Sequence, residues 1–133
     1  MRSLKYKAYI REYDRIVEVE QLELLANGEV QSIVVEDWEL TDKTYRFTQG
    51  QFNLMQYIGV KDIHNIEIYE GYIVKVIPAY GHGTRIGKVI YYEDKACFLI
   101  ETTECDYFTF MSQDLKSVEI LGNIYENKGL LDE

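Results

Sequence analysis

Two histidines and two cysteines are the side chains that could coordinate a soft metal ion or supply a nucleophile: His64, His82, Cys97 and Cys105. Zinc sites are usually built from close pairs such as Cys-x₂-Cys or His-x₃-His, and no such pair occurs here. A nucleophilic thiol needs a base beside it, and neither histidine is near a cysteine along the chain. The sequence therefore predicts no metal, no cofactor and no catalytic residue.

Carboxylates are the other group that could do chemistry. Asp62, Glu67 and Glu70 lie close together in sequence, as do Glu93 and Asp94. Such groups could act as general acid and base or hold Mg²⁺, which makes a small metal-dependent hydrolase one hypothesis. Groupings of this kind arise readily by chance in a chain with 23 acidic residues. A solvated acidic face is therefore the favoured interpretation.

The segment Gly81-His82-Gly83 is similar to a fragment of a phosphate-binding loop. It lacks the Lys-Ser/Thr pair that completes such a loop, and it does not open a helix. A flexible loop between two strands is the favoured interpretation. Its functional alternative is a partner-binding loop that exposes Tyr80 and His82.

Aromatic side chains are abundant, with 12 Tyr, 5 Phe and 1 Trp, and this excess favours strands over helices. Those in alternating runs are predicted to be core: Tyr6, Phe47, Phe52, Phe98 and Phe108. Others could be exposed, and Tyr and Trp are enriched at binding hot spots. The candidate partner-binding residues are Trp38, Tyr69, Glu70, Tyr72, Tyr80 and His82.

The first half of the chain is predicted to be an antiparallel meander. Residues 4–10 alternate apolar and polar side chains, which is typical of a half-buried strand. Asn27-Gly28 lies between two apolar runs and predicts a hairpin with a type I′ turn. Residues 18–26 also carry apolar side chains at helical spacing, so a helix remains an alternative there. Residues 59–65 are predicted to be a linker or exposed loop.

The second half has short β runs at regular spacing: Tyr72–Ile77, Ile86–Tyr92, Ala96–Glu101, Tyr107–Met111 and Val118–Leu121. A long first loop, a tight hairpin at Glu93–Lys95 and a 3₁₀ turn at Ser112–Leu115 suggest an SH3-like barrel. We therefore predict a mostly β fold. Residues 1–58 would form the antiparallel meander, a possible oligomerisation element, and residues 59–133 a small SH3-like barrel with a C-terminal tail.

Charge is unevenly distributed along the chain, which has a net charge of -9 from 14 basic and 23 acidic residues. The first seventeen residues carry five basic side chains, whereas residues 18–42 carry eight acids and no Lys or Arg. Duplex DNA presents about one negative charge per 1.7 Å of axis, so a DNA-binding protein needs a concentrated basic face. Outside the first seventeen residues the sequence offers none, and nucleic acid is not the expected partner.

The expected compartment is the bacterial cytoplasm. Only two cysteines occur, so reduced thiols are predicted, and Cys97 lies in the apolar run Ala96–Ile100 as a small hydrophobe. The N-terminus lacks the apolar core of a signal peptide. No apolar run is long enough for a membrane span, so no membrane association is expected.

Two adjacent segments resemble the YopX family of phage and prophage proteins. Leu54–Asp62 reads Leu-Met-Gln-Tyr-Ile-Gly-Val-Lys-Asp and Glu67–Val74 reads Glu-Ile-Tyr-Glu-Gly-Tyr-Ile-Val. The corresponding family runs are Leu-Met-Gln-Tyr-Thr-Gly-Leu-Lys-Asp and Glu-Ile-Tyr-Glu-Gly-Asp-Ile-Val. Lys5–Tyr9 and Leu121–Asn127 also agree, so the resemblance covers nearly the whole chain. One departure is Tyr72, where the family usually has Asp. Another is His64-Asn65-Ile66, in place of an Asn/Asp-Gly turn.

The resemblance implies a phage or prophage protein that acts in the host cytoplasm, and it implies no particular activity. We therefore expect a non-catalytic module that binds another macromolecule, most simply a host or phage protein, and that also forms homo-oligomers through unpaired strand edges. A nucleic-acid-associated regulator is the first alternative, since the N-terminus is basic and SH3-like barrels occur in such proteins. The small hydrolase using Asp62 to Glu70 is the second.

Overall fold

A computed structural model describes residues 3–36, 44–81 and 83–131. The fold is nearly all β, with 58% of the described residues in strands and 6% helical, and it consists of antiparallel sheets, one of them curled into a half-barrel. The predicted fold class is confirmed. The described strands are β1 Tyr6–Ile10, β2 Arg15–Glu18, β3 Gln21–Leu24, β4 Val30–Glu36, β5 Thr44–Thr48, β6 Phe52–Lys61, β7 Glu67–Tyr69, β8 Tyr72–Pro78, β9 Arg85–Tyr92, β10 Cys97–Thr102, β11 Tyr107–Phe108 and β12 Leu115–Asn123.

Two short 3₁₀ helices, Glu93–Lys95 and Lys128–Leu131, complete the described secondary structure. Within the described ranges, no helix has the length and apolar character that crossing a bilayer requires. The chain divides into two compact units, Leu4–Gln56 and a second that begins at Tyr57.

In the N-terminal unit, β1 pairs antiparallel with β2 and with the first half of β6, and β3, β4 and β5 form a separate sheet in that order. The alternation predicted for residues 4–10 is confirmed within β1, where Ala8 and Ile10 are fully buried, but Leu4 precedes the strand and is 60% exposed. The buried core of this unit consists of Ala8, Ile10, Val17, Ile33, Val35 and Phe47.

The segment left open between helix and strand contains β3, so the strand interpretation is correct. The turn that follows differs from the prediction. The N–H of Gly28 donates to the carbonyl of Leu25 (2.9 Å), and the N–H of Leu25 donates to the carbonyl of Glu29 (2.9 Å), which closes a three-residue loop. A type I′ turn needs positive φ at both central residues, whereas here Gly28 has φ +90° and Asn27 does not. Asn27 instead accepts a hydrogen bond at Oδ1 from the N–H of Glu29 (3.0 Å).

In the C-terminal unit, five antiparallel strands form one sheet in the order β11-β10-β9-β8-β12. The inner strands are rich in β-branched residues, and their buried side chains make one apolar core together with Ile68 of β7. That core consists of Ile68, Val74, Val76, Val89, Ile100, Leu115 and Val118. Phe108 packs against it as predicted, although it is only partly buried.

Two boundaries in this unit differ from the sequence predictions. The expected loop at residues 59–65 begins later, because β6 continues to Lys61 through a bulge at Gly59, whose φ is +92°. Residues 112–114 form a hydrogen-bonded turn rather than a 3₁₀ helix, with the N–H of Asp114 donating to the carbonyl of Met111 (2.9 Å). The hairpin expected at Glu93–Lys95 is present, and these three residues form a 3₁₀ turn between Tyr92 at the end of β9 and Cys97 at the start of β10.

Candidate functional site

Asp62, the first carboxylate of the hypothetical hydrolase, lies at the end of β6 and is only 8% exposed. Its Oδ1 accepts hydrogen bonds from the N–H groups of His64 (2.9 Å) and Ile66 (3.0 Å), and its Oδ2 accepts one from the N–H of Ile120 (3.1 Å). A carboxylate with three backbone donors is held in place by the chain. These contacts give Asp62 a structural task, which is to fix the 62–66 loop against β12.

The pKa of Asp62 reflects two opposing effects. Burial raises the pKa, but the hydrogen bonds from the N–H groups of Ile120, Ile66 and His64 lower it, and the net result is below the ordinary value of 3.8. His64, close by, also favours the ionised carboxylate. Asp62 is therefore a stable anion, which does not suit the role of a general acid near neutral pH.

His64 forms the second link between this loop and β12. Its Nε2 lies 2.9 Å from Oε2 of Glu119. This hydrogen bond raises the pKa of His64 above 6.5, and the negative charges of Asp62 and Glu119 act in the same direction. The imidazole is largely exposed, so the His64–Glu119 contact links the 62–66 loop to β12 at the protein surface.

The other soft ligands are separate from this cluster. Cys97 is half-buried and Cys105 is exposed, and both are free thiols. Among the described residues 3–36, 44–81 and 83–131, no three His, Cys, Asp or Glu side chains are grouped closely enough to hold a metal ion.

The predicted partner-binding residues that the structure describes lie at two ends of β8. Tyr69, Glu70 and Tyr72 flank the turn before β8, where Tyr69 packs its ring against Tyr72 with the centroids 5.7 Å apart. Tyr69 is 5% exposed, so it presents little surface. Tyr80 follows the other end of this seven-residue strand, a separation of about 20 Å at 3.3 Å per residue. Trp38 and His82 lie outside the described residues.

The loops beyond β8 and β11 meet at one end of the five-stranded sheet. The N–H of Ala79 donates to the carbonyl of Asp114 (2.9 Å), which ties residues 79–81 to the 109–114 turn. Each of these loops carries a large exposed apolar side chain, Tyr80 at 83% and Met111 at 56%. Ile63, on the 62–66 loop, is also 56% exposed and lines a groove together with Phe110 and Ser112, the chain neighbours of Met111. We call Ile63, Tyr80 and Met111 the apolar end.

A shallow groove of about 290 Å³, which we call the β12 groove, lies beside the first half of β12. One wall is formed by Val60, Lys61 and Ile63, and the other by Phe110, Ser112 and the strand residues Leu115–Val118. The lining is mixed: Val60, Ile63, Phe110, Leu115 and Val118 are apolar, whereas Asp62, Ser112 and Ser117 are polar. Two lysines, Lys61 and Lys116, stand exposed at the rim. The groove is open and small, so it suits a few side chains of a macromolecule better than an enclosed substrate.

Sequence reasoning missed Ile63, Met111 and Lys116. The sequence pattern places Ile63 in a loop and Met111 at the end of a strand, and the exposure of both side chains depends on where β6 and β11 end. An apolar residue inside an otherwise polar loop is the signal that could have identified Ile63. Lys116 gave no signal, because its position beside the groove depends on tertiary contacts.

Comparison with known proteins supports the resemblance seen in the sequence. The family model described as YopX protein matches residues 5–132. No curated protein matches the sequence.

Two solved structures share the fold over nearly their whole length. Protein EF1440 from Enterococcus faecalis has a TM-score of 0.67 and 20% sequence identity, with 98% of this chain and 99% of that chain covered. Protein yopX from Bacillus subtilis has a TM-score of 0.65 and 16% identity, with 98% of each chain covered. At these identities the two structures establish a common fold, and the family match over residues 5–132 establishes descent. The chain belongs to the YopX protein family.

Proposed function

We propose that this chain is a non-catalytic binding module that recognises a protein of a phage or of its bacterial host. The observation that carries the proposal is the apolar end, where Tyr80, Met111 and Ile63 remain largely exposed. Tyr and Met are enriched at protein interfaces, and large exposed apolar side chains gain free energy when a partner removes them from water.

The cellular setting is part of the same proposal. Family resemblance supports an origin in a phage or prophage and action in the host cytoplasm. Two free thiols, Cys97 and Cys105, are compatible with a reducing compartment.

The test is an affinity pull-down with the whole chain from extract of a phage-infected host, followed by measurement of the affinity for the captured protein. Tyr80→Ala and Met111→Ala should each weaken binding about tenfold or more, as expected for hot-spot residues. Tyr91→Ala is the matched control, because Tyr91 is 45% exposed but lies at the opposite end of β9. Equal binding by all three variants would contradict the proposal.

Self-association is a second part of the proposal and concerns the N-terminal unit. β3 is the outer strand of the β3-β4-β5 order, and Leu24 at its end is 59% exposed, followed by Leu25 at 41%. An exposed apolar edge strand is a template for pairing with a second copy. Light scattering should give a dimer that Leu24→Lys converts to monomer, and a strict monomer at high concentration would remove this claim.

The nucleic-acid alternative has less support. Arg11 donates to Oδ1 of Asn53 and to the carbonyl of Gly50 (2.7 Å), and Lys7 lies directly opposite Glu18 in the β1–β2 pair. Glu18 offsets part of the charge of Lys7, whereas Arg11 keeps its charge but is held by neutral groups, so these residues do not form a concentrated basic face for a phosphate backbone. We therefore do not propose nucleic acid as the partner.

A further inference from the structure

The edge of β12 is covered over part of its length by a loop rather than by a strand. The N–H of Ile63 donates to the carbonyl of Val118 (3.0 Å), and Oδ2 of Asp62 accepts from the N–H of Ile120 (3.1 Å). These two bonds satisfy outward-facing backbone groups of β12, which on the other side pairs with β8. The loop thus occupies the place that a neighbouring strand would take.

The β12 groove overlaps the end of this cover at Val118, whose carbonyl accepts from the N–H of Ile63, and extends from there toward Leu115. Its lining includes Leu115–Val118, the half of β12 that precedes Ile120, and it lies between the end of β6 and the 110–112 turn. A chain segment placed in the groove would run along the edge of β12, in line with the existing loop contacts. Side chains on one face of such a segment would meet Val60 and Phe110.

Charge at the groove favours an acidic segment. Neither Lys61 nor Lys116 has an ion-pair partner among residues 3–36, 44–81 and 83–131. Glu67 stands opposite Lys61 in the β6–β7 pair, and the ionised carboxylate of Asp62 also lines the groove, so both offset the charge of Lys61. Lys116 is therefore the main positive charge available to a ligand, in a chain whose net charge is -9.

We propose that the β12 groove receives an extended, acidic segment of the partner protein, which adds to the edge of β12. Backbone hydrogen bonds to Lys116 and its neighbours supply affinity, apolar side chains pack on Val60 and Phe110, and a carboxylate pairs with Lys116. This inference rests on the proposed function and names the form of the partner.

The experiment uses a displayed library of random twelve-residue peptides selected against the whole chain. Selected peptides should combine Asp or Glu with alternating β-branched residues, and they should shift the amide NMR signals of Ser112 and of residues 116–118. The reverse charge change Lys116→Glu should weaken binding of a selected peptide at least tenfold. Lys95→Glu, in the 3₁₀ helix at the opposite end of the sheet, should change it less than twofold.

Backbone pairing is tested separately from charge. N-methylation at alternate positions removes strand-forming N–H groups without changing side chains, and one of the two methylation phases should abolish binding while the other is tolerated. Tolerance of both phases would overturn the strand-addition claim. Selected peptides without acids, or equal effects of Lys116→Glu and Lys95→Glu, would overturn the acidic-segment claim.

The two proposals fail in different ways. If the pulled-down partner depends on Tyr80 and Met111 but not on Lys116, the binding function stands and the groove inference falls. If neither the apolar end nor the groove binds any protein or peptide, both are wrong.

Discussion

The side chain of Asp62 accepts a hydrogen bond from the edge of β12, as the backbone carbonyl of a neighbouring strand would. Its two oxygens hold three N–H groups from two separate segments, the 62–66 loop and β12. Removing such an acceptor leaves buried donors without partners, which costs more than the net worth of the bonds themselves. In the sequence, Asp62 is a candidate catalytic acid, but its hydrogen bonds give it a role in stabilising the fold.

Replacement of Asp62 by Asn should therefore destabilise the protein by about 2 kcal/mol. The side-chain amide of Asn has one oxygen that accepts hydrogen bonds and one nitrogen that does not, so at least one of the N–H groups that Asp62 now holds would lose its acceptor. Urea denaturation at neutral pH measures this loss. Asp94→Asn is the control, since Asp94 is exposed in the 3₁₀ helix Glu93–Lys95.

The same carboxylate predicts a pH dependence. Because the pKa of Asp62 is lower in the folded protein than 3.8, its contribution to stability is complete above that value and is lost as the pH falls through the lower folded pKa. Denaturation midpoints measured at falling pH should decline less steeply below pH 4 in Asp62→Asn than in the wild type. Parallel curves would argue against the assignment.

His64 should titrate above 6.5, because Glu119 accepts its hydrogen bond. A raised folded pKa means that the His64–Glu119 contact stabilises the loop fully below 6.5 and is lost as the pH rises through the folded pKa. NMR titration of the imidazole would measure this value directly. In Glu119→Gln the pKa should fall, and an unchanged value would show that the hydrogen bond does not form in solution.

At the scale of elements, Gly87 sets how closely β9 and β10 approach. A Cβ at this position would lie 2.6 Å from the carbonyl oxygen of Glu101 and 2.8 Å from Cγ2 of Ile100. Backbone in a central strand cannot move aside without breaking the ladder, so no side chain fits there.

Gly87→Ala should consequently lower the free energy of unfolding by about 1–3 kcal/mol, the usual range for overpacking. Thermal unfolding followed by circular dichroism would record the change. Gly129→Ala is the matched control, because a Cβ at Gly129 would meet no atom within 4 Å. Similar losses for both variants would contradict the steric explanation.

Local sequence patterns predicted most of the strands, but they did not predict where a strand begins and ends when pairing with another strand sets its length. The alternation at residues 4–10 identified β1, since Ala8 and Ile10 need one buried face. β12 is longer than the apolar run Val118–Leu121 suggests, because pairing with β8 continues through two register shifts to Leu115 and Asn123. Nothing in the local sequence reports such pairing.

The candidate site was predicted only in part. Tyr80 is as exposed as its glycine-rich loop suggests, but Tyr69 is packed between Tyr57 and Tyr72. Aromatic enrichment applies equally to cores and interfaces, so residue type alone could not separate these two cases. The β12 groove could not be predicted at all, because its walls come from segments about fifty residues apart in sequence.

At the scale of the whole molecule, the negative net charge of the chain disfavours nucleic acid as a partner. A net charge of -9 repels a phosphate backbone at long range. We expect binding of duplex or single-stranded DNA to be weaker than about 100 µM, the weak end of non-specific binding. Fluorescence anisotropy over about 50 to 200 mM salt would check this, and a tighter affinity that falls steeply with salt would favour the nucleic-acid alternative.

β6 extends from Phe52 to Lys61, with a bulge at Gly59, and it pairs with β1 through Phe52–Gln56 and with β7 through Tyr57 and Lys61. Cutting the polypeptide after Ile58, where residue patterns place a boundary, would sever this strand in its middle. The downstream fragment would lose Tyr57, which pairs with Tyr69 and packs against its ring at 5.6 Å. Separate expression of the two halves is therefore a poor way to assign activities, and point variants in the intact chain are the proper tool.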